Sequence, residues 1–307
     1  MSPRARVAVA PEGVREWLQD AVRAGGGEVV GPEAAEALVW TAESDPQRLA
    51  EILSEYPGIR WVQLPWAGVE PYAEEGVLDR GRVWTSGKGV YARPVAEHAL
   101  ALALAGLRNL KRFASARRWQ DQAGISLLGG QVTIFGGGGI TVELLKLLAP
   151  LGCDVTVVRR HAHPLPGART VLTFPARYEA LRGADVVFLA LALTSETTGL
   201  IGQIELELME PHAWLVNVAR GPHVATEDLV IALRGNIIGG AALDVTDPEP
   251  LPEGHPLWML PNCLITPHTA NTEDMAKPLL HQRIADNVRR FGAGESLIGL
   301  VDPELGY

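Results

Sequence analysis

The chain has 307 residues, enough for two domains or one large one. Apolar residues make up 47% and charged residues 21%, and the formal net charge of −9 argues against nucleic acid or an anionic membrane as partner, because phosphate-rich surfaces select a basic face. The two cysteines, Cys153 and Cys263, each stand beside apolar strand-like residues, which points to reduced core thiols in a cytoplasmic protein rather than to a disulfide framework.

The N-terminus, MSPRARVAVAPEGVREW, is basic, but its apolar run is too short for a secretory signal. Short β-like runs then alternate with helical patterns: RVAVA, VREWLQDAVRAGG, EVVG, ALVWTA, PQRLAEILSEY, WVQLPW and RVWTSG. Such alternation predicts parallel sheets with crossover helices, an α/β fold. A long helical pattern is predicted from Pro94 to about Trp119, with the proline tolerated in its first turn. Its most apolar part, Ala96 to Leu107, falls well short of the roughly 20 residues a membrane span needs. A second α/β series follows: VTIFG and its helix, VTVV, VVFLALAL, WLVNVA, a helix near Glu227 to Leu233, GGAALDV and CLITP. A final helix is predicted from about Met275 to Phe291. The long helix near residue 94 marks a domain boundary, with residues 1–93 as one lobe and 94–271 as the other.

VTIFGGGGITVELLKLLAPLGCDVTVVRRH opens the second lobe. Gly136, Gly138 and Thr141 occupy the positions of a G-x-G-x-x-G fingerprint, with Thr141 in place of the third glycine. Gly138, Gly139 and Ile140 would turn backbone amides of a helix N-terminus toward phosphate oxygens. At the end of the next strand, where a ribose-binding acid usually stands, are Arg159 and Arg160. A guanidinium binds a 2′-phosphate that a carboxylate would repel, so the expected cofactor is NADP, with NAD as the alternative. A plain strand–turn–helix with a solvated basic end would read the same way. His161 and His163 form an H-x-H without a third ligand nearby, so no metal is expected.

Three polar residues end apolar, strand-like runs: Arg220 in NVARG, Glu249 in ALDVTDPEPLP and His268 in ITPHTA. Strand ends on the carboxyl side of a parallel sheet are where ligands bind. A guanidinium to clamp a carboxylate, an imidazole to give a proton and a carboxylate to hold that imidazole charged and oriented would suit the reduction of a 2-oxo acid. Taken singly, a salt bridge, a loop acid and a cap would account for each.

Together these segments resemble the D-isomer-specific 2-hydroxyacid dehydrogenase family over nearly the whole chain, most strongly from Val132 to Ala270. Arg220 matches its N-x-A-R-G block, Glu249 its L-D-V-x-x-x-E-P block and His268 its T-P-H block. The resemblance implies two Rossmann-like doubly wound domains with an active-site cleft between them, and a C-terminal helix (about 272–307) that completes the first. It implies that Asp244 bonds the nicotinamide carboxamide, that Thr194, Val218 and Ala219 contact the cofactor, and that Ala67 and Gly68 receive the substrate carboxylate beside Trp66. A homodimer is implied too. Ala192 replaces a usual proline, and His223 stands where relatives often carry a small or apolar residue. The chain is most similar to the glyoxylate and hydroxypyruvate reductase branch, which implies NADPH-dependent reduction of a small 2-oxo acid to the D-2-hydroxy acid. The alternatives are an NAD-dependent, phosphoglycerate-type dehydrogenase and a dinucleotide-sensing, corepressor-like protein. A formate dehydrogenase is disfavoured, because Glu249 replaces its usual glutamine.

Overall fold

The computed structural model describes residues 4–306, so the first three residues of the basic N-terminal run lie outside the described residues. The chain divides into two units, Met1–Tyr91 with Thr272–Tyr307, and Ala92–Asn271. The first unit opens with strands β1 (Arg6–Ala10), β2 (Glu28–Val29), β3 (Ala37–Trp40), β4 (Trp61–Gln63) and β5 (Val83–Thr85). Helices α1 (Leu18–Ala24), α2 (Pro46–Glu55) and α3 (Glu70–Glu74) lie between them. The strands form a parallel sheet in the order β2-β1-β3-β4-β5. β3 reads ALVW without polar alternation because all four residues are buried. α2 begins where the Asp45 carboxylate accepts the Arg48 amide at 3.1 Å and Pro46 takes the first helical position.

The second unit holds α4 (Ala92–Leu107), α5 (Leu110–Ala114), β6 (Gln131–Phe135), α6 (Gly139–Leu148), β7 (Asp154–Val158), β8 (Thr170–Leu172) and α7 (Arg177–Leu181). It continues through β9 (Val186–Leu189), α8 (Gln203–Leu208), β10 (Trp214–Asn217), α9 (Thr226–Arg234), β11 (Gly240–Leu243), α10 (Pro256–Met259) and β12 (Cys263–Ile265). Its parallel sheet runs β12-β11-β10-β9-β6-β7-β8. The chain moves outward from β6 to β8 and then restarts on the other side at β9. The switch between β6 and β9 opens a crevice beyond the strand ends, the usual ligand position in such sheets.

Two sequence expectations need correction. The helix expected to reach about Trp119 stops at Leu107, where Asn109 adopts a left-handed conformation (φ 52°) that asparagine tolerates better than most residues. α5 then ends where the Ser115 hydroxyl bonds the carbonyls of Lys111 and Arg112 at 2.8 and 3.2 Å. The following RRWQDQ lacks the apolar stripe that a continuing helix would bury. Strand β8 was not anticipated. It is a three-residue edge strand, partly exposed throughout, and too short to show a period.

The last helix, α11 (Glu273–Ala293), returns to the first unit and packs on α1. Its buried Asn287 donates to Gln63 Oε1 and to the Ile298 carbonyl, both at 2.9 Å, and accepts the Ile298 amide at 2.8 Å. Gln63 Oε1 also accepts the Thr85 hydroxyl at 2.8 Å, and Thr85 Oγ1 accepts the Trp61 indole N–H at 2.8 Å. One amide thereby ties helix, sheet and C-terminal segment together. Asn287→Ala removes three hydrogen bonds and leaves polar partners in a dry interior, so it should lower unfolding stability by roughly 2–4 kcal/mol. The shift in urea midpoint measures it; a shift under about 0.5 kcal/mol would show that the network contributes nothing net.

Candidate active site

β10, β11 and β12 lie side by side, with Asn217 opposite Leu243 and Leu243 opposite Ile265. The three strands therefore leave the sheet at one level. Arg220, the Asp244–Glu249 segment and His268 are carried by these three exits.

At the first exit, the buried Asn217 side chain brackets the turn, donating to the Arg220 carbonyl at 2.9 Å and accepting the Ala219 amide at 3.0 Å. The Arg220 guanidinium donates to the Ala219 carbonyl at 2.7 Å. Gly221 follows because a Cβ there would meet the Thr246 carbonyl oxygen at 1.9 Å, so only glycine lets the β10 and β11 loops touch. Val218 and Ala219 are buried beside it.

At the second and third exits, Asp244 organises the loop that carries His268. Its Oδ1 accepts the Thr266 hydroxyl at 2.6 Å and the Thr269 amide at 2.9 Å, and its Oδ2 accepts the Ala270 amide at 3.1 Å. His98 Nε2, from α4, lies 3.3 Å from the same Oδ1 and 3.1 Å from Thr266 Oγ1. Burial pushes the Asp244 carboxyl up, but the bonds from His98, Thr266, Thr269 and Ala270 together outweigh it and hold the group below its ordinary value of 3.8. His268 is left-handed (φ 49°), a conformation that costs about 1–3 kcal/mol for a non-glycine residue. Its own amide is held by the carbonyls of Asp244 at 2.8 Å and Thr266 at 3.0 Å. The exposed His268 side chain turns Nδ1 to Glu249 Oε1 at 2.7 Å. Nε2 is thereby the nitrogen left to meet a ligand.

The glycine turn after β6 is shaped for close approach. Gly136 has φ 111°, and a Cβ on it would meet the Ala190 carbonyl oxygen at 2.1 Å. Gly138 and Gly139 are exposed at the start of α6, and the space where a Gly138 side chain would sit is open. Ile140 is half-buried at the start of the helix. Thr141 fits the third fingerprint position because its buried hydroxyl donates back to the Gly136 carbonyl at 3.0 Å. Arg159 lies against this turn: a Cβ on Gly137 would come within 2.8 Å of Arg159 Cδ. Arg160 is exposed next to it. The turn, its open amides and the adjacent guanidinium fit a pyrophosphate and a further phosphate. His161 and His163 stack loosely at 6.0 Å, and no group of three potential metal ligands occurs among the described residues. Thr194 sits in the loop after β9, its amide donating to Thr197 Oγ1 at 2.8 Å.

In the first unit, Trp66, Ala67 and Gly68 follow β4, with Ala67 exposed. Trp66 packs on Tyr91 at 5.5 Å, the Arg15 guanidinium stands 4.9 Å over its ring, and the Tyr91 hydroxyl donates to the Pro65 carbonyl at 2.6 Å. The bracing residues Asn217, His98, Thr266, Arg15 and Tyr91 escaped sequence reasoning. Asn217 and Thr266 lie inside the quoted blocks and could have been read as turn-forming side chains. Arg15 and Tyr91 are distant in sequence from the loop they support and left no local signal.

A doubly wound sheet whose glycine turn suits a pyrophosphate and whose neighbouring strand ends present an oriented imidazole belongs to a dinucleotide-dependent dehydrogenase. The sequence pattern of the D-isomer specific 2-hydroxyacid dehydrogenase NAD binding domain matches residues 98–270, and the chain is a member of that family of NAD(P)-dependent oxidoreductases. It is 38% identical over 255 residues to an uncharacterized protein in the proB 3′ region of Corynebacterium melassecola, covering 81% of this chain and 84% of that one. It is 30% identical over 288 residues to glyoxylate/hydroxypyruvate reductase A of Photorhabdus laumondii, covering 88% of this chain and 87% of that one. The crystal structure of a D-isomer specific 2-hydroxyacid dehydrogenase from Xanthobacter autotrophicus Py2, in complex with NADPH and MES, superimposes with a TM-score of 0.86 at 28% identity over 99% of both chains.

The depressed Asp244 carboxyl contributes stability that is complete above the unfolded value of about 3.9 and is lost as pH falls through the lower folded value. Asp244→Asn places an amide where N–H donors already converge, so it should lower Tm at neutral pH. It should also flatten the acid side of the Tm profile below about pH 4. A mutant with the native acid slope would remove Asp244 from the acid-sensitive set.

Proposed function

We propose that the chain reduces a small 2-oxo acid of the glyoxylate or hydroxypyruvate type to the D-2-hydroxy acid with NADPH. The observation that carries this reading is the 2.7 Å pairing of His268 Nδ1 with Glu249 at the carboxyl edge of the sheet, which leaves Nε2 as a proton donor. Arg220 clamps the substrate carboxylate, and the amides at Ala67 and Gly68, beside Trp66, complete its recognition. Gly136, Gly138, Gly139 and Ile140 hold the pyrophosphate, Arg159 and Arg160 the 2′-phosphate, and Asp244, Thr194, Val218 and Ala219 the nicotinamide end. When bound, NADPH would supply the hydride for the carbonyl carbon. His268 then delivers its Nε2 proton to the carbonyl oxygen, and Glu249 keeps the ring turned for that transfer. The closeness of Arg159 to the glycine turn supports NADPH over NADH. The free cysteines fit a cytoplasmic setting, and the almost fully exposed Trp119 (97%), with the exposed Leu110 and Leu128, supplies apolar surface suited to a homodimer.

His268→Gln should bind NADPH normally yet lose roughly 100- to 10,000-fold in kcat on glyoxylate or hydroxypyruvate, the range that general acid catalysis provides. NADPH oxidation across a panel of 2-oxo acids tests the reading itself. Cofactor binding without turnover on any of them would replace the enzyme with a sensor.

Arg159→Asp tests the cofactor assignment. One charge-assisted contact corresponds to a preference of about ten- to a hundredfold. The native enzyme should favour NADPH by that ratio in kcat/KM, and the variant should swing toward NADH. Equal native use of the two cofactors would leave Arg159 a solvated strand end.

A further inference from the structure

His223, in the 3-10 turn after β10, is fully buried. It lies one turn after Arg220, where the backbone pairs with the end of the loop that follows β9: Gly199 donates to Pro222 at 2.8 Å and Ile201 to His223 at 2.9 Å. The imidazole spans that loop. Nδ1 is 3.0 Å from the Thr197 carbonyl and Nε2 is 3.3 Å from the Leu191 carbonyl. Between these anchors the loop is wound on itself, with Thr197 Oγ1 donating to the Ala192 carbonyl at 2.9 Å and accepting the Thr194 amide at 2.8 Å. Carbonyls only accept, so a neutral ring donates to one of the two and a protonated ring to both; in either form the imidazole ties the turn that carries Thr194 to the strand exit that carries Arg220. A leucine could fill the same volume, but it has no donor for either carbonyl.

We infer that His223 is a positioning residue for cofactor binding, locking the Leu191–Thr197 turn in the conformation that receives the dinucleotide. This rests on the NADPH reading above. With the turn held in advance, the cofactor does not have to order it on binding, so loss of the lock appears as lost dinucleotide affinity. The proton-transfer pair His268–Glu249 lies on other loops, so the step after binding is untouched.

The experiment is NADPH titration by nicotinamide fluorescence, with steady-state kinetics and Tm, on the native chain, His223→Leu and His223→Gln. His223→Leu should weaken NADPH binding by about five- to thirtyfold, the effect of losing one hydrogen bond and leaving its buried carbonyl unpaired. Its kcat at saturating NADPH should stay near native. His223→Gln keeps one donor and should recover part of the affinity. If His223→Leu does not fold, a two- to fivefold loss in His223→Gln with native kcat carries the same conclusion. Native NADPH affinity in a folded His223→Leu would overturn the inference, as would equal losses of affinity and kcat with no recovery in His223→Gln. A native chain that binds no NADPH would instead overturn the cofactor reading, which separates the two failures.

Discussion

Everything at the carboxyl edge of the larger sheet depends on one buried carboxylate. Asp244 stands one residue beyond β11, and three hydroxyl or amide donors from the next strand's exit close on it, with His98 beside them. A charge so deep is tolerated only when its lone pairs are filled. Here they are filled by the Thr266 hydroxyl and two backbone amides of the loop that carries His268. Desolvation of the carboxylate and left-handed strain at His268 are thus offset by the same set of bonds. The backbone that carries the imidazole is consequently placed by an interior charge, while the ring itself is turned by the exposed contact with Glu249. That pair, open to water at both ends, would contribute little to stability but can still direct the ring.

The sheet order explains why such a loop can serve a ligand. β10, β11 and β12 are neighbours both in sequence and in space, so two consecutive crossovers return their strand ends to one row. The glycine turn after β6 faces the crevice opened by the β6–β9 switch, and the loop after β9 shares that crevice. His223 joins the loop after β9 to the exit of β10. The open glycine turn and the oriented imidazole are therefore consequences of one winding rule.

Much of this was legible because the chemistry sits at strand ends, where an apolar run stops at a polar residue. VTIFG, NVARG, ALDV and ITPH all carry that pattern, and the parallel α/β architecture follows from their alternation with helices. The residues that brace the site were not legible. His98 reaches Thr266 across 168 positions and Asn287 reaches Gln63 across 224, distances over which a single sequence has no periodic signal. The helix expected beyond Leu107 failed for a local reason: the left-handed preference of Asn109 outweighed a pattern already weakening into RRWQDQ. Thr141 shows the reverse case. It broke the expected glycine fingerprint, yet its hydroxyl satisfies the turn from within.

A chain with a formal charge of −9 would seem ill suited to an anionic cofactor and an anionic acid. The contradiction dissolves at the scale of a site. Charges spread over a surface are screened beyond about 8 Å at physiological ionic strength, whereas a guanidinium in contact with an anion acts through little solvent. Arg159 lies against the glycine turn, Arg220 stands at a strand exit, and open amides begin α6. On the proposed reading each would meet an anion at contact distance, where the Coulomb term is large. Acids such as Glu28, Glu74 and Glu75 lie on exposed surface. They set solubility and long-range steering rather than local affinity. Composition alone excludes a broad polyanionic partner but is silent about a small one, because a small anion is recognised by a few fixed donors and not by the field of the whole protein.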